Sequence, residues 1–413
     1  MYYGYIVDTG GNIIDEVMMV QMPEGRSYTG QNQAEVFCHG GQFVLTQILG
    51  EIFKQGVRPA EPGEFTRRAF LAGRIDLTRA EAVADLIASR TEYSYNAAKK
   101  NLLGELSEHI ERIRNSTVEL LAEIEASIDY PEEELDLADR DRLAKSFDKI
   151  LVDAQELTDS YKAGRIVKEG YMIAIAGRPN AGKSSLFNLF LNQNRAIVAP
   201  TPGTTRDYLT EWIDLNGLAV SITDTAGLRD AAGLIEQMGQ QSAENIIERS
   251  DLLIWIADIS RKKWQKEIAN DIKPYLDKKD ILLVLNKIDK LENSRIDNKL
   301  PASMLLDKVK VVYISCKTKV GLKTLKKKLL NRISGNMPDL TDHLIVTSER
   351  HKAKLENFLR SLNKARKDIL KSLSPELTAL ELRQGINEID EITGRIYTED
   401  ILNKIFERFC IGK

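Results

Sequence analysis

At 413 residues the chain has room for two or three domains and a sizeable buried core. Hydrophobic residues make up 43% and charged residues 29%, the mixture of an ordinary soluble protein. The formal net charge of −3 excludes a global basic field for nucleic acid, so any RNA contact has to come from local patches.

Three scattered cysteines, Cys38, Cys316 and Cys410, argue for a reducing compartment and against a disulfide framework. The start, Met1-Tyr2-Tyr3-Gly4-Tyr5, has no basic n-region or apolar h-region, and no apolar run is long enough to span a bilayer. A cytoplasmic protein without a membrane contact is expected.

Residues 1–68 read as β-rich. Tyr3, Tyr5 and Val7 alternate toward one face, Asp8-Thr9-Gly10-Gly11-Asn12 reads as a turn, and Ile13–Val20 supplies a second strand. Helical character follows. Thr78-Arg79-Ala80-Glu81 has the form of a capping box. From Leu102 an apolar stripe runs through Leu106, Ile110, Ile113, Leu120, Ile124 and Ile128, predicting one long helix with a packing face. Pro131-Glu132-Glu133-Glu134 ends it in an acidic corner, read as a solvated charge run, and another helix is predicted over 141–163.

Tyr171–Ala176 is a short apolar run with β-forming residues, followed by Gly177-Arg178-Pro179-Asn180-Ala181-Gly182-Lys183-Ser184 and then a helical stretch from Ser185. The loop fits G-x-x-x-x-G-K-[ST], and strand, Gly-rich loop and helix is the context that separates a phosphate cradle from a chance turn. Lys183 would reach the β/γ-phosphates and the Ser184 hydroxyl would ligate Mg²⁺, with Asn180, Ala181, Gly182 and Ser185 completing the cradle. Asp224-Thr225-Ala226-Gly227 ends a second strand-like run. There Asp224 can hold a metal-bound water and the Gly227 N–H can meet the γ-phosphate.

Asn286-Lys287-Ile288-Asp289 ends a third run. The Asp289 carboxylate can accept the ring N–H and amino hydrogens of guanine, a donor pair that adenine lacks. Ser315-Cys316-Lys317 closes a fourth run, where backbone amides could read the guanine carbonyl. Four elements at the carboxyl ends of strands fit a GTP site in a doubly wound parallel sheet. After the Ser334-Gly335-Asn336-Met337-Pro338 linker, helical periodicity returns from Val346 to Phe409. Arg350, Lys352, Lys354, Arg360, Lys364, Arg366, Lys367 and Lys371 make its start basic, read as an exposed face with RNA contact as the alternative. Neither helical flank has a core of its own, so one helical domain interrupted by an inserted GTPase is the simpler account.

Cys38-His39-Gly40-Gly41, the Pro62-Gly63-Glu64-Phe65 turn and the terminal Phe409-Cys410-Ile411-Gly412-Lys413, together with the GTPase motifs, resemble the MnmE (TrmE) family of tRNA-modification GTPases over essentially the whole length. The resemblance implies a folate-binding, dimerising N-terminal domain over 1–72, a helical domain over 73–168 and 336–413, and a GTPase domain over 169–335. The fold class is then α/β and α: a P-loop GTPase sheet inserted in a helical domain, preceded by a β-rich α+β folate-binding domain.

The resemblance further implies a homodimer that works with the flavoprotein MnmG (GidA), which carries FAD, as a heterotetramer. Together they would modify carbon five of the wobble uridine of certain tRNAs, with one carbon from a formyl- or methylene-tetrahydrofolate and nitrogen from glycine or ammonium. Leu228 stands where Ras-like enzymes place a water-positioning Gln, and the resemblance assigns that task to Glu236, an exposed helix-face residue being the alternative. K⁺ would be held by Asn180, Thr204 and the carbonyls of Ala199 and Thr201, and Thr205 would join Ser184 on Mg²⁺.

Glu35, Arg74 and Lys413 would bind folate, Arg74 standing where the family often has Lys. Cys410 resembles the family's C-terminal cysteine near that site. Family members begin several dozen residues earlier and draw a folate-binding arginine from that segment, so weak folate binding is expected of the chain as it begins here. A ribosome-assembly GTPase of the Era/Der type would instead call for a KH-like G-x-x-G after residue 340, where none lies. The third reading is a nucleotide-gated switch whose helices bind protein partners.

Overall fold

The computed structural model describes residues 1–129, 137–193, 210–224, 236–261, 263–291, 309–335, 344–371, 373–410 and 412. They form two compact units, one from Met1–Ala88, Ala98–Thr158 and Arg350–Lys413, the other from Ser89–Ala97 and Asp159–Glu349.

The first unit opens with an antiparallel sheet of β1 (Tyr2–Val7), β2 (Ile13–Met22) and β3 (Gln33–Phe37). Asp8 closes the first hairpin, its carboxylate accepting from the N–H groups of Gly10 and Asn12 at 2.8 Å each, with Gly11 at φ 82°. Tyr3 and Tyr5 share a face, as the alternation predicts, and that face is exposed. Helices α1 (Gln42–Lys54) and α2 (Glu64–Leu71) follow, so the first 68 residues are as helical as they are extended.

Helix α3 spans Leu77–Ala88. The capping box is not formed, because Thr78 already lies inside the helix. Asp76 is the cap instead, accepting from the Arg79 N–H at 2.9 Å. Glu81, two residues further along the helix than a box on Asp76 requires, turns to Arg350 Nε at 2.9 Å and His351 Nε2 at 2.6 Å.

The long stripe is also divided. Gly104, at φ 99°, separates α4 (Glu92–Leu103) from α5 (Glu105–Asp129), and a Cβ there would collide with the Arg79 guanidinium. Leu106, Ile110, Ile113, Leu120 and Ile124 are buried as the stripe requires. They lie on the helix that packs along Pro375–Thr393, and each fully buried side chain contributes about 1.5–3 kcal/mol. The acidic corner, Pro131–Glu134, lies outside the described residues. A helix does follow it, α6 (Leu137–Glu169), longer at both ends than predicted.

The basic run falls on α11 (Glu349–Leu370) and just beyond. Arg360, Lys364, Lys367 and Lys371 are exposed, as an outward face expects, while Arg350, Lys352, Lys354 and Arg366 are half-buried. Arg350 reaches Glu81, Lys354 reaches Glu388 and Glu391 at 2.9 and 2.6 Å, Lys364 reaches Glu381, and Arg366 reaches Asp148 at 2.7 Å.

The second unit is built on a six-stranded sheet with the order β5 (Thr210–Leu215), β6 (Leu218–Asp224), β4 (Tyr171–Ala176), β7 (Leu252–Asp258), β8 (Ile281–Asn286), β9 (Lys310–Tyr313). It is parallel except for the β5–β6 hairpin at its edge, so the sheet is mixed. That hairpin turns on Asn216-Gly217, both at positive φ, as a two-residue loop demands. The central strands β6, β4, β7 and β8 are buried on both faces.

One face carries α7 (Lys183–Gln193) and α10 (Leu322–Ser334), the other α8 (Glu236–Arg249) and α9 (Trp264–Ile272). Residues 89–97 also belong here, although the sequence places them in the helical flank. Tyr93 covers Gly217, and the Arg90 guanidinium lies 4.3 Å from the Trp212 ring centroid. Among the described residues no helix is long and apolar enough to cross a membrane.

Candidate functional site

Strand β4 delivers the chain to the crevice where neighbours on either side, β6 and β7, lead in opposite directions. The loop that follows is shaped by two glycines. Gly177 sits at φ 149°, where a Cβ would come within 2.2 Å of the Ile256 carbonyl oxygen. Gly182 sits at φ 107°, where a Cβ would meet Asn286 Nδ2 at 2.2 Å. Lys183 is 7% exposed and donates from Nζ to the carbonyls of Gly177 and Arg178, both at 2.9 Å. The Ser184 hydroxyl donates to Asp224 Oδ2 at 3.0 Å.

The base side is tied to the phosphate side. Asn286, 2% exposed, donates from Nδ2 to the Ala181 carbonyl at 2.9 Å and accepts from the Cys316 N–H at 3.0 Å. Lys287, at φ 68°, donates to the Asn180 carbonyl and to Asp258 Oδ2, both at 2.7 Å. Asp289 accepts from the Ser315 hydroxyl at 2.5 Å, and that bond holds its carboxyl below the usual carboxylate range. The anion that guanine needs is therefore present. Burial pushes the Cys316 thiol up to about 11, so it is a neutral wall of the base site and no nucleophile. Gly177, Asn180, Gly182, Lys183, Ser184, Asn286, Lys287, Asp289, Cys316 and Lys317 line one cleft of about 1060 Å³.

The structure thus brings together Asn180, Ala181, Gly182, Lys183, Ser184, Asp224, Asn286, Lys287, Asp289, Ser315, Cys316 and Lys317, and Ser185 lines the same cleft. Thr225, Ala226, Gly227, Ala199, Thr201, Thr204 and Thr205 lie outside the described residues, as do Leu228 and Lys413. Glu236 opens α8.

Two groups escaped the sequence reading. Arg178 anchors the loop through Asp271, Nε at 2.7 Å and Nη2 at 3.1 Å, and through Glu267 at 3.1 Å. Asp258 opposes Lys287. Burial pushes its carboxyl upward, but hydrogen bonds from Lys287 and Ser260 outweigh that and leave it lowered. A carboxylate at the carboxyl end of β7 was the available signal for Asp258, whereas nothing local marks Arg178.

The folate candidates sit in the other unit. Glu35 is exposed on β3, pairing across the strands with Val20, and accepts from Gln33 Nε2 at 3.2 Å. Arg74 donates to the Gly25 carbonyl at 2.8 Å in the loop between β2 and β3. Neither bonds to the other. The Pro62–Phe65 turn and the C-terminal segment do meet, since a Cβ on Gly63 (φ 67°) would touch Phe406 at 3.0 Å.

Residues 77–410 match the family described as the MnmE helical domain, and residues 1–74 match that of the GTP-binding protein TrmE N-terminus. A tRNA modification GTPase MnmE of Natranaerobius thermophilus is 40% identical over 414 residues, covering 100% of this chain and 89% of that one. Its counterpart in Carboxydothermus hydrogenoformans is 39% identical with the same coverage of both chains. The G domain of the FeoB iron transporter of T. maritima aligns at 24% identity over 39% of this chain and 97% of that one. Its TM-score is 0.28. Identity at this level, sustained over the full length, places the chain in the MnmE family of tRNA modification GTPases.

Proposed function

We propose that the chain is a GTP hydrolase, activated by K⁺, that serves modification of carbon five of the wobble uridine of certain tRNAs. The observation that carries the reading is the linked cleft: Ser184 on Asp224 at one end, Asp289 on Ser315 at the other, and Asn286 bridging them. The polar ends suit phosphates and guanine respectively. Ser184 and Asp224, already paired through a hydroxyl and a carboxylate oxygen, are the hard oxygen donors that Mg²⁺ prefers and would hold it directly and through water. Mg²⁺ there would offset charge on the β/γ-phosphates.

Lys183 would leave its two carbonyls for the phosphate oxygens, and Thr205 would join Ser184. Glu236 would orient water. K⁺ would take Asn180, Thr204 and the carbonyls of Ala199 and Thr201 when two GTPase domains meet. We read residues 169–335 as a GTPase domain set into a helical domain of 73–168 and 336–413, with 1–72 as a folate-binding and dimerising domain. Glu35, Arg74 and Lys413 would hold a formyl- or methylene-tetrahydrofolate, and the flavin would come from the partner MnmG (GidA) in a cytoplasmic heterotetramer. The exposed apolar face bearing Tyr3, Tyr5 and Met18 is consistent with a second copy docking there.

GTP turnover in equal K⁺ and Na⁺ tests the first half, and stimulation by K⁺ is the expected result. Turnover indifferent to the cation would count against it. Mass spectrometry of wobble uridines from a strain lacking the gene tests the second half, with loss of the aminomethyl-type group expected.

A further inference from the structure

Lys287 ties three parts of the nucleotide cleft together. Its Nζ donates to the Asn180 carbonyl in the phosphate loop and to Asp258 Oδ2 at the end of β7, both at 2.7 Å. The sheet register sets the second contact, because Asp258 stands opposite Asn286, the residue before Lys287. Asp258 is itself held, since Oδ1 accepts from the Ser260 N–H at 3.0 Å and from its hydroxyl at 2.6 Å. Its side chain is 13% exposed and that of Lys287 24%, so the pair is largely shielded from water.

The carbonyl that Lys287 grips belongs to a strained turn. Arg178-Pro179-Asn180-Ala181 is closed by the Ala181 N–H on the Arg178 carbonyl at 3.3 Å, with proline second and Asn180 third at φ 63°. That is the pattern of a type II turn, whose left-handed third position favours glycine. Asparagine there, and Lys287 itself at φ 68°, need outside bonds to hold them. Asn286 holds the next carbonyl, that of Ala181, so two adjacent side chains of the base loop grip two adjacent carbonyls of the phosphate loop. A lysine side chain sacrifices rotamer freedom to keep such a grip. A second bond, to a carboxylate already oriented by Ser260, fixes it.

We propose that Asp258 is a positioning residue for the guanine nucleotide: by holding Lys287 on the Asn180 carbonyl, it locks the tip of the phosphate loop to the base loop. This rests on the reading of the cleft as a GTP site. The lock is made by protein groups alone and is the same before and during hydrolysis. It therefore acts on nucleotide affinity and release, and the chemical step is spared.

The test uses the full chain, with a fluorescent GDP analogue for affinity and release and steady-state GTP turnover for KM and kcat. Asp258→Asn keeps the shape of the side chain, but its one oxygen cannot serve both Ser260 and Lys287. It should weaken the GDP analogue about 10-fold through faster release and raise KM for GTP by a similar factor. The kcat should stay within about twofold of wild type, and the melting temperature of the nucleotide-free chain should hardly move. Lys287→Met keeps the stem that lines the cleft and removes the ammonium. In that background Asp258→Asn should change affinity by less than about twofold, because Asp258 acts through Lys287.

A loss of equal size in both backgrounds would overturn the proposal and mark Asp258 as a brace of the strand end. Unchanged affinity in Asp258→Asn, or a loss confined to kcat, would overturn it as well. If the wild-type chain fails to bind the GDP analogue, the reading of the cleft fails and the proposal falls with it. A wild type that binds beside an insensitive variant sinks the proposal alone.

Discussion

Asn286→Ala probes the tie between the two halves of the nucleotide cleft. The side chain is 2% exposed and makes two bonds, at 2.9 Å to the Ala181 carbonyl and 3.0 Å from the Cys316 N–H. Truncation leaves both backbone groups without that partner, and each buried orphan costs about 1–3 kcal/mol. Taking about 1.5 kcal/mol for each gives about 3 kcal/mol, and at about 1.4 kcal/mol per decade the affinity for guanine nucleotide should fall roughly 100-fold. The bonds hold the phosphate loop and the base loop, so the loss should fall on GDP and GTP alike. Titration with a fluorescent GDP analogue measures it, with far-UV circular dichroism confirming that the fold persists. An affinity within threefold of wild type in a folded variant would refute the idea that this amide joins the two loops.

Other consequences are as direct. In Gly164→Ala the new Cβ would stand 2.0 Å from the Val346 carbonyl oxygen, a backbone atom that cannot turn aside. Overpacking of this kind costs about 1–3 kcal/mol, so calorimetry should show the GTP-protected transition several degrees lower. Glu64 is held down to about 2, chiefly by its hydrogen bond from Arg58. Because its folded pKa is depressed, the stability it supplies is present above the ordinary value of 4.5 and is lost as pH falls toward 2. Glu64→Gln should therefore melt below wild type at pH 7, and the gap should close between pH 5 and pH 2. Cys316, pushed up to about 11 by burial, should resist iodoacetamide at pH 8 while exposed Cys410 reacts. Rapid labelling of Cys316 would show that the base wall is open.

Local pattern carried some elements well and others hardly at all. Tyr171–Ala176 and the loop after it were legible because strand, glycine positions and helix are each written within a few residues of one another. Thr78 misled because Thr-x-x-Glu has the form of a capping box, whereas Asp76, two residues earlier, offers the carboxylate that accepts from the free Arg79 N–H. Gly104 divides what periodicity alone joins, since an apolar stripe continues in phase across a single left-handed residue. Arg350 and Arg366 looked exposed because their partners, Glu81 and Asp148, lie more than two hundred positions away in the chain. Arg178 was silent for the same reason, its meaning residing in Asp271.

The membership of residues 89–97 in the nucleotide-binding unit bears on how that unit may be isolated. A fragment cut where its motifs suggest, at 169 and 335, would discard Tyr93, Ala97, Val167 and Ile345, which form a small apolar cluster of their own. It would also strip Arg90 from Trp212 and bare Gly217. Nucleotide constants measured on such a fragment would describe a sheet with one edge undressed. A faithful excision needs four cuts and a splice, carrying 89–97 along with 159–349.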